Sequence, residues 1–244
     1  YLGFELIAGN RVDVSSDRDF ATAFAYVMAQ IAIHLSGWAE DWIWQSTIEF
    51  DFMTLPQKFC TGSSIMPQKV NPDVLELIRG KTGRVVGNLN SLLVLTKGIP
   101  LAYDRDLQED KEPIFDSFDT VSICLALAAP VVAGMTLNRE SIASRLEKGY
   151  LDATSFMEYL IRRGVPQRSA HGVVGRLVRK GIETGRALAE FPLEELQNGC
   201  ELVDETVYQF LGARNAVNAM KSYGSTAPDQ VRYQIEFWKK TLGL

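Results

Sequence analysis

From Asp19 to Ser46 the large apolar residues Phe20, Phe24, Val27, Met28, Ile31, Leu35, Trp38 and Trp42 recur three or four positions apart, as on one face of an α-helix. About 28 residues in that pattern predict one helix roughly 42 Å long, at about 1.5 Å per residue. Such a helix needs a long partner surface to cover its stripe. The periodicity lapses over 50–72, where Pro56, Gly62, Pro67 and Pro72 predict a long loop. It resumes at Asp73, an acidic residue suited to a first helical turn. From there it continues through Leu77, Ile78, Val85, Val86, Leu89 and Leu93 to a stop at Gly98-Ile99-Pro100. A third helix is expected to begin in the acidic stretch after Tyr103 and run to Met135, with Pro113 near a turn boundary or kink.

Beyond residue 136 the pattern shortens. Helical spacings at 139–148, 153–163, 167–190, 201–210 and 228–242 are separated by Gly149, Gly164-Val165-Pro166, Pro192 and Pro228. Thr154 is a candidate cap for the second of these, and Ser169 or the turn before it for the third. No repeat and no alternating strand series stands out. The fold class predicted is all-α. A long-helix central-bundle segment, 1–145, is followed by a small helical C-terminal domain, 146–244.

Composition narrows this picture. The 244 residues are 46% hydrophobic and 23% charged, enough for a substantial core and against global disorder. The net charge of -5 argues against a general binder of nucleic acid or anionic membrane, yet leaves room for a local anion site. The longest strongly apolar run, Val121 to Met135, is broken by Ser122 and Pro130 and is short for a membrane span. Cys60, Cys124 and Cys200 are odd in number and scattered, so neither a disulfide framework nor a metal site is expected, even with His34 and His171. A reducing, cytoplasmic compartment fits them. The opening Tyr1-Leu2-Gly3-Phe4 carries no methionine, which raises the question whether these residues form a whole catalytic unit.

Candidate chemistry concentrates in two places. Residues 61–72, Thr-Gly-Ser-Ser-Ile-Met-Pro-Gln-Lys-Val-Asn-Pro, set two serine hydroxyls, an ammonium and two carboxamides among residues that shape the backbone. They are either a surface loop with self-bonded serines or a reactive loop, in which a serine needs a base or a strong positive field. No local Ser-His-Asp arrangement accompanies them. The second place is 103–112, where Gln108 and Lys111 share a helix face and, with Tyr103, offer contacts for a carboxylate-bearing small molecule. Asp106, Glu109 and Asp110 read as a solvated helix start. Arg18, in Ser16-Asp17-Arg18-Asp19, is either a further anion contact or part of a helix cap.

Gly62 to Pro72 closely resembles the signature loop of the fumarase/aspartase superfamily. Leu101 to Glu112, the segment from Ser16 to Phe20, Gly149-Tyr150-Leu151-Asp152-Ala153-Thr154 and Ser222-Tyr223-Gly224-Ser225-Thr226-Ala227-Pro228 narrow the resemblance to the argininosuccinate lyases, over essentially the whole chain. What it implies is reversible cleavage of argininosuccinate to arginine and fumarate, without metal or organic cofactor. By the same resemblance Ser63 matches the general base, and Lys69 the group that stabilises the carbanion or its aci-carboxylate form. Glu76 matches a carboxylate paired with a catalytic histidine. Arg18, Ser64, Asn71, Tyr103, Gln108 and Lys111 fall at substrate-binding positions. Val70 and Asp104 depart from the commoner residues there, and the charge of Asp104 bears on binding.

The family's general-acid histidine lies in a Thr-His segment with no counterpart here, and neither His34 nor His171 has its context. His34, between Ile33 and Leu35, is expected to pack in or beside the bundle. The resemblance further implies a homotetramer whose active sites are shared between subunits. It also implies a missing N-terminal segment or complementary chain, so residues 1–244 alone are expected to be inactive. Alternatives are another fumarate-releasing lyase such as adenylosuccinate lyase, a crystallin-like structural protein, and a helical oligomerisation module.

Overall fold

Three long helices carry the first half of the chain in the computed structural model, which describes residues 3, 5–146 and 148–244. Tyr1, Leu2 and Phe4 of the opening, and Glu147 in the expected 139–148 helix, lie outside the described residues. The chain divides into two compact units, Tyr1–Arg139 and Glu140–Leu244. The class is all-α, with a long-helix bundle in the first unit and shorter helices in the second.

The first unit opens with a short helix, α1 (Arg11–Ser16), capped by Asn10, whose side chain accepts the Val12 N–H at 2.9 Å. The bundle helices are α2 (Asp19–Gln45), α3 (Asp73–Thr96) and α4 (Lys111–Gly134). Their extents match the sequence periodicity, and their inner faces match it in part: Met28, Ile31, Leu35, Trp38 and Trp42 of α2 and Ile78, Val85 and Leu89 of α3 lie in or against the core. The residues α2 buries are Ala21, Ala25, Ala29, Ala32 and Ala39, while Phe20 is 72% and Trp44 56% exposed. Likewise α3 buries Leu75, Ile78, Val85 and Leu92, and turns Leu77, Val86 and Leu93 outward.

The alanines explain the choice. Small side chains let two backbones approach closely, and Thr82 Oγ1 on α3 donates to the Ala32 carbonyl on α2 at 3.0 Å. Leu75 and Leu92, at 1% exposure, each contribute roughly 1.5–3 kcal/mol by burial. Of the larger residues, Leu35, Trp38, Trp42 and Ile43 pack partly buried against the core, whereas Phe20 and Trp44 of α2 and Phe115 and Ile123 of α4 are exposed. Exposed large apolar residues therefore stand on the outer sides of all three helices. By length and composition alone, α2 and the segment Arg105–Gly134 are long and apolar enough to cross a membrane. Bundle helices pass the same test, and both bury one side within this unit.

Residues 50–72 are more regular than a loop. The two-residue strand β1 (Met53–Thr54) pairs antiparallel with β4 (Thr136–Leu137), while β2 (Thr61–Gly62) pairs antiparallel with β3 (Val70–Asn71). Pro113 sits in the first turn of α4, where its missing N–H leaves no helical bond unmade.

The second unit holds α5 (Arg139–Leu146), α6 (Ala153–Arg162), α7 (Gln167–Thr184), α8 (Leu193–Gly199), α9 (Ala213–Asn218) and α10 (Pro228–Leu242). Its core gathers Phe156, Leu160, Leu177, Leu188, Phe191, Leu196 and Leu211. Thr154 and Ser169 are not caps: the residues before α6 and α7 are Asp152 and Pro166, and Asp152 Oδ2 instead accepts the Gly212 N–H at 2.7 Å. The 167–190 helix stops at Thr184 because Gly185, at φ +68°, takes the left-handed cap conformation. Residues 201–210 form only a 3₁₀ turn, Glu205–Gln209.

Candidate functional site

The signature residues hang on a hairpin. Pairing of Thr61 with Asn71 and Gly62 with Val70 closes residues 63–69 into its tip, immediately before α3. Gly62 is not in the left-handed region, and a Cβ there would meet only the Lys69 carbonyl at 4.0 Å, so this conformation does not use its freedom. Within the tip, Ser63 Oγ accepts the N–H groups of Ile65 at 3.2 Å and Met66 at 3.1 Å. The Lys69 N–H donates to the Met66 carbonyl at 3.0 Å. Ser63 is half-buried, whereas Ser64 and Lys69 are exposed. Two backbone donors aimed at one hydroxyl oxygen favour negative charge on it. No side-chain base bonds to Ser63 among the described residues, and the Lys69 ammonium has no carboxylate partner there.

Asn71 is half-buried in β3, and Glu76 lies exposed in the first turn of α3. Glu76 lines a cavity of about 440 Å³ together with Ser46, Thr47, Asp51, Cys60, Val70 and Pro72. Burial, with the Asp73 charge adding to it, pushes the Cys60 thiol up, so this cysteine is protonated at neutral pH. His34 does not pack into the bundle as its apolar neighbours suggested. It points outward at mid-helix on α2, and His171 is exposed on α7. Grouped His, Cys and acidic side chains that could hold a metal ion are absent among the described residues.

The other candidates lie around the starts of α2 and α4. Gln108 Nε2 donates to the Tyr103 hydroxyl. Tyr103 follows Ala102, a non-glycine residue at φ +73° whose N–H donates to the Val12 carbonyl of α1 at 3.2 Å. Fully buried Leu107 anchors the 3₁₀ turn Arg105–Asp110 that presents Gln108, and Asp104 precedes that turn half-buried. Arg18 precedes α2 without a side-chain cap bond. Its Nε donates to Asp110 Oδ2 at 2.6 Å, and its Nη1 to the carbonyls of Asp17 at 2.7 Å and Ser15 at 3.4 Å. Lys111 Nζ reaches Asp110 Oδ1 at 2.6 Å and the Leu107 carbonyl at 3.1 Å.

Asp110 is therefore not part of a solvated helix start. It is buried, and its carboxylate links two of the sequence candidates. Burial pushes its pKa up, but Lys111 and then Arg18 outweigh that and hold it below the usual carboxylate range.

These two sets do not meet in one chain. The hairpin with Ser63, Ser64, Lys69 and Asn71 precedes the first residue of α3, and Tyr103, Gln108 and Lys111 follow its last. The 24 residues of α3 that lie between them span about 36 Å at 1.5 Å per residue, and the second set folds back beside the C-terminal part of that helix, where Asp116 of α4 bonds Arg84 and Asn88. Arg18, bonded to Asp110, belongs to the far pole.

The family described as "Lyase" matches residues 1–87, and the one described as "Argininosuccinate lyase C-terminal" matches residues 150–218. Argininosuccinate lyase of Rhodopirellula baltica is 58% identical over 241 residues, 99% of this chain and 52% of that protein. The Syntrophus aciditrophicus enzyme is 50% identical over 234 residues, 96% of this chain and 50% of its own. Among solved structures, EDDS lyase in complex with formate superposes with a TM-score of 0.84 at 26% identity, covering 97% of this chain and 49% of that one. Class II fumarase from Schistosoma mansoni, at 18% identity and a TM-score of 0.69 over 84% of this chain and 40% of that one, shares the fold. The chain spans about half the length of the curated relatives it matches. Over nearly its whole length the chain is thus similar to argininosuccinate lyases of the fumarase/aspartase superfamily.

Proposed function

We propose that the full-length protein is an argininosuccinate lyase, converting argininosuccinate reversibly to arginine and fumarate. The observation that carries this reading is the 58% identity to one such enzyme across 99% of the chain. In the reaction a proton leaves the carbon beside a carboxylate, the C–H electrons become the new C=C bond, and the C–N electrons depart with the guanidino nitrogen. That nitrogen needs a proton from a general acid.

Ser63 is the base. The Ile65 and Met66 N–H groups lower the cost of charge on its oxygen. Lys69, on the same tip, stabilises the carbanion as its aci-carboxylate, an effect that grows when closure of the tip over substrate excludes water. Ser64 and Asn71 bind substrate beside them, and Glu76 orients a histidine that comes from outside these residues. Tyr103, Gln108, Lys111 and Arg18 bind substrate carboxylates at the far pole. Of the Arg18 nitrogens, Nη2 is not used by Asp110, Asp17 or Ser15.

Because most of the length of α3 lies between the poles, each site combines the hairpin of one copy with the far pole of another. The exposed apolar sides of α2, α3 and α4 suit the interior of a homotetramer. A reducing, cytoplasmic setting suits the three free thiols, and no organic cofactor or metal enters any step. Residues 1–145 and 146–244 serve as bundle segment and accessory helical domain.

The test is fumarate release from argininosuccinate by the full-length protein beside its Ser63→Ala variant, with a loss of about 10²–10⁴ in kcat expected. Retained turnover in the variant rejects Ser63 as the base, and preferential use of adenylosuccinate replaces the substrate assignment. Residues 1–244 purified alone are expected to release none.

A further inference from the structure

Four acidic side chains lie between Asp106 and Glu112, and one of them is folded inward. Asp106, Glu109 and Glu112 are exposed, whereas Asp110 is 5% exposed. Both of its oxygens are engaged, Oδ2 by Arg18 and Oδ1 by Lys111. Burying a carboxylate is costly, and a buried ion pair is a poor way to gain stability compared with an apolar side chain of similar size.

What the arrangement does is fix a donor. Lys111 is the first residue of α4, where the helix dipole disfavours an ammonium, and half of its side chain is exposed. A lysine so placed would ordinarily sample many rotamers. Here one ammonium N–H goes to Asp110, one to the Leu107 carbonyl, and a third is uncommitted. The carboxylate is itself held by Arg18, whose Nη1 is anchored on two carbonyls just before α2. Arg18, 92 positions earlier in the chain, and the neighbouring Lys111 thus converge on one oxygen pair.

We propose that Asp110 is a positioning residue for the far pole: anchored by Arg18, it holds the Lys111 ammonium with one N–H left for a substrate carboxylate. The role rests on the reaction proposed above and adds to it a residue that makes no substrate contact. Charge alone predicts the opposite sign, because removing a negative group beside an anion site should tighten binding.

The experiment compares the full-length protein with Asp110→Asn and Asp110→Glu by steady-state kinetics on argininosuccinate. Asp110→Asn is expected to raise KM about tenfold or more while kcat stays within about threefold, since a ground-state contact has been loosened. Asp110→Glu, which keeps the charge, is expected to recover part of that loss. An unchanged or lowered KM, or a fall in kcat alone with a lower melting temperature, overturns the proposal. If Asp110→Asn does not fold, Asp110→Glu is read by the same KM criterion, a KM equal to that of the wild type counting against the role. Wild-type turnover decides the reaction, and the ratio of variant to wild type decides Asp110. With no wild-type turnover, succinate affinity by calorimetry supplies the ratio, an unchanged value again counting against the role.

Discussion

Mixing two inactive variants tests whether the poles of different copies make one site. One chain carries Ser63→Ala and spoils every hairpin tip it contributes; the other carries Lys111→Ala and spoils every far pole. The 24 residues of α3 that lie between the two span about 36 Å, and the helix carries no proline to fold it back. Argininosuccinate, an arginine joined to a four-carbon diacid, cannot bridge most of that length. In a randomly reassembled one-to-one mixture, a hairpin is intact in half of the cases and a far pole independently in half. About one quarter of the sites are then complete. If each site lay within one chain, no complete site would form and activity would stay at the residual level, lower by about 10²–10⁴. The assay is fumarate absorbance after joint denaturation and renaturation, with two affinity tags confirming that mixed assemblies formed. Activity no greater than the sum of the separate variants, in a verified mixed assembly, refutes the shared site.

The second unit supplies two further expectations. A Cβ at Gly181 would stand 2.7 Å from both the Arg186 carbonyl and the Tyr150 ring, breaking the 3.1 Å bond between Tyr150 and that carbonyl. Gly181→Ala should therefore destabilise this unit by about 1–3 kcal/mol despite the better helix former; increased protection of α7 in hydrogen exchange would contradict this. Acid should loosen the same unit. Glu195 is held at about 2 by Arg186 and Lys180, and Asp204 at about 2 by Thr206 together with Arg163 and Tyr159. Both lie below their ordinary values of 4.5 and 3.8, so their stabilisation is complete above that range and drains away as pH falls through it toward 2. Hydrogen exchange of α7 and α8 between pH 5 and 2 reads this, and Glu195→Gln should flatten the slope.

The long helices are legible because about seven turns of consistent spacing outweigh any local exception. Which side of a helix turns inward is another matter. A hydrophobic scale ranks Phe20 and Trp44 above Ala25 and Ala39, yet within one chain the alanines are buried, because close helix approach needs small residues. The large residues answer to a different surface. The two short helices α8 and α9 are too brief to establish a period, and Thr154 and Ser169 have cap chemistry at positions already inside a helix. Gly62 illustrates the same limit, since a glycine signals conformational freedom without showing whether it is used.

The candidate chemistry divides along a similar line. Ser63, Lys69 and Asn71 stand out because unusual residue types crowd a short stretch, and the hairpin keeps them within one tip. Asp110 could not stand out, because it is one acid among four and its partner Arg18 lies 92 positions earlier. Only packing distinguishes the carboxylate that turns inward. The distance between the poles was equally hidden. Resemblance says the residues act together, whereas the rigid length of α3 keeps them apart in each copy. Both can hold only if the outward-facing apolar sides of α2, α3 and α4 bring a second copy's far pole to the first copy's hairpin. On the proposed reading, the exposed phenylalanines and tryptophan, which contribute little to the core of one chain, are where that second copy would pack.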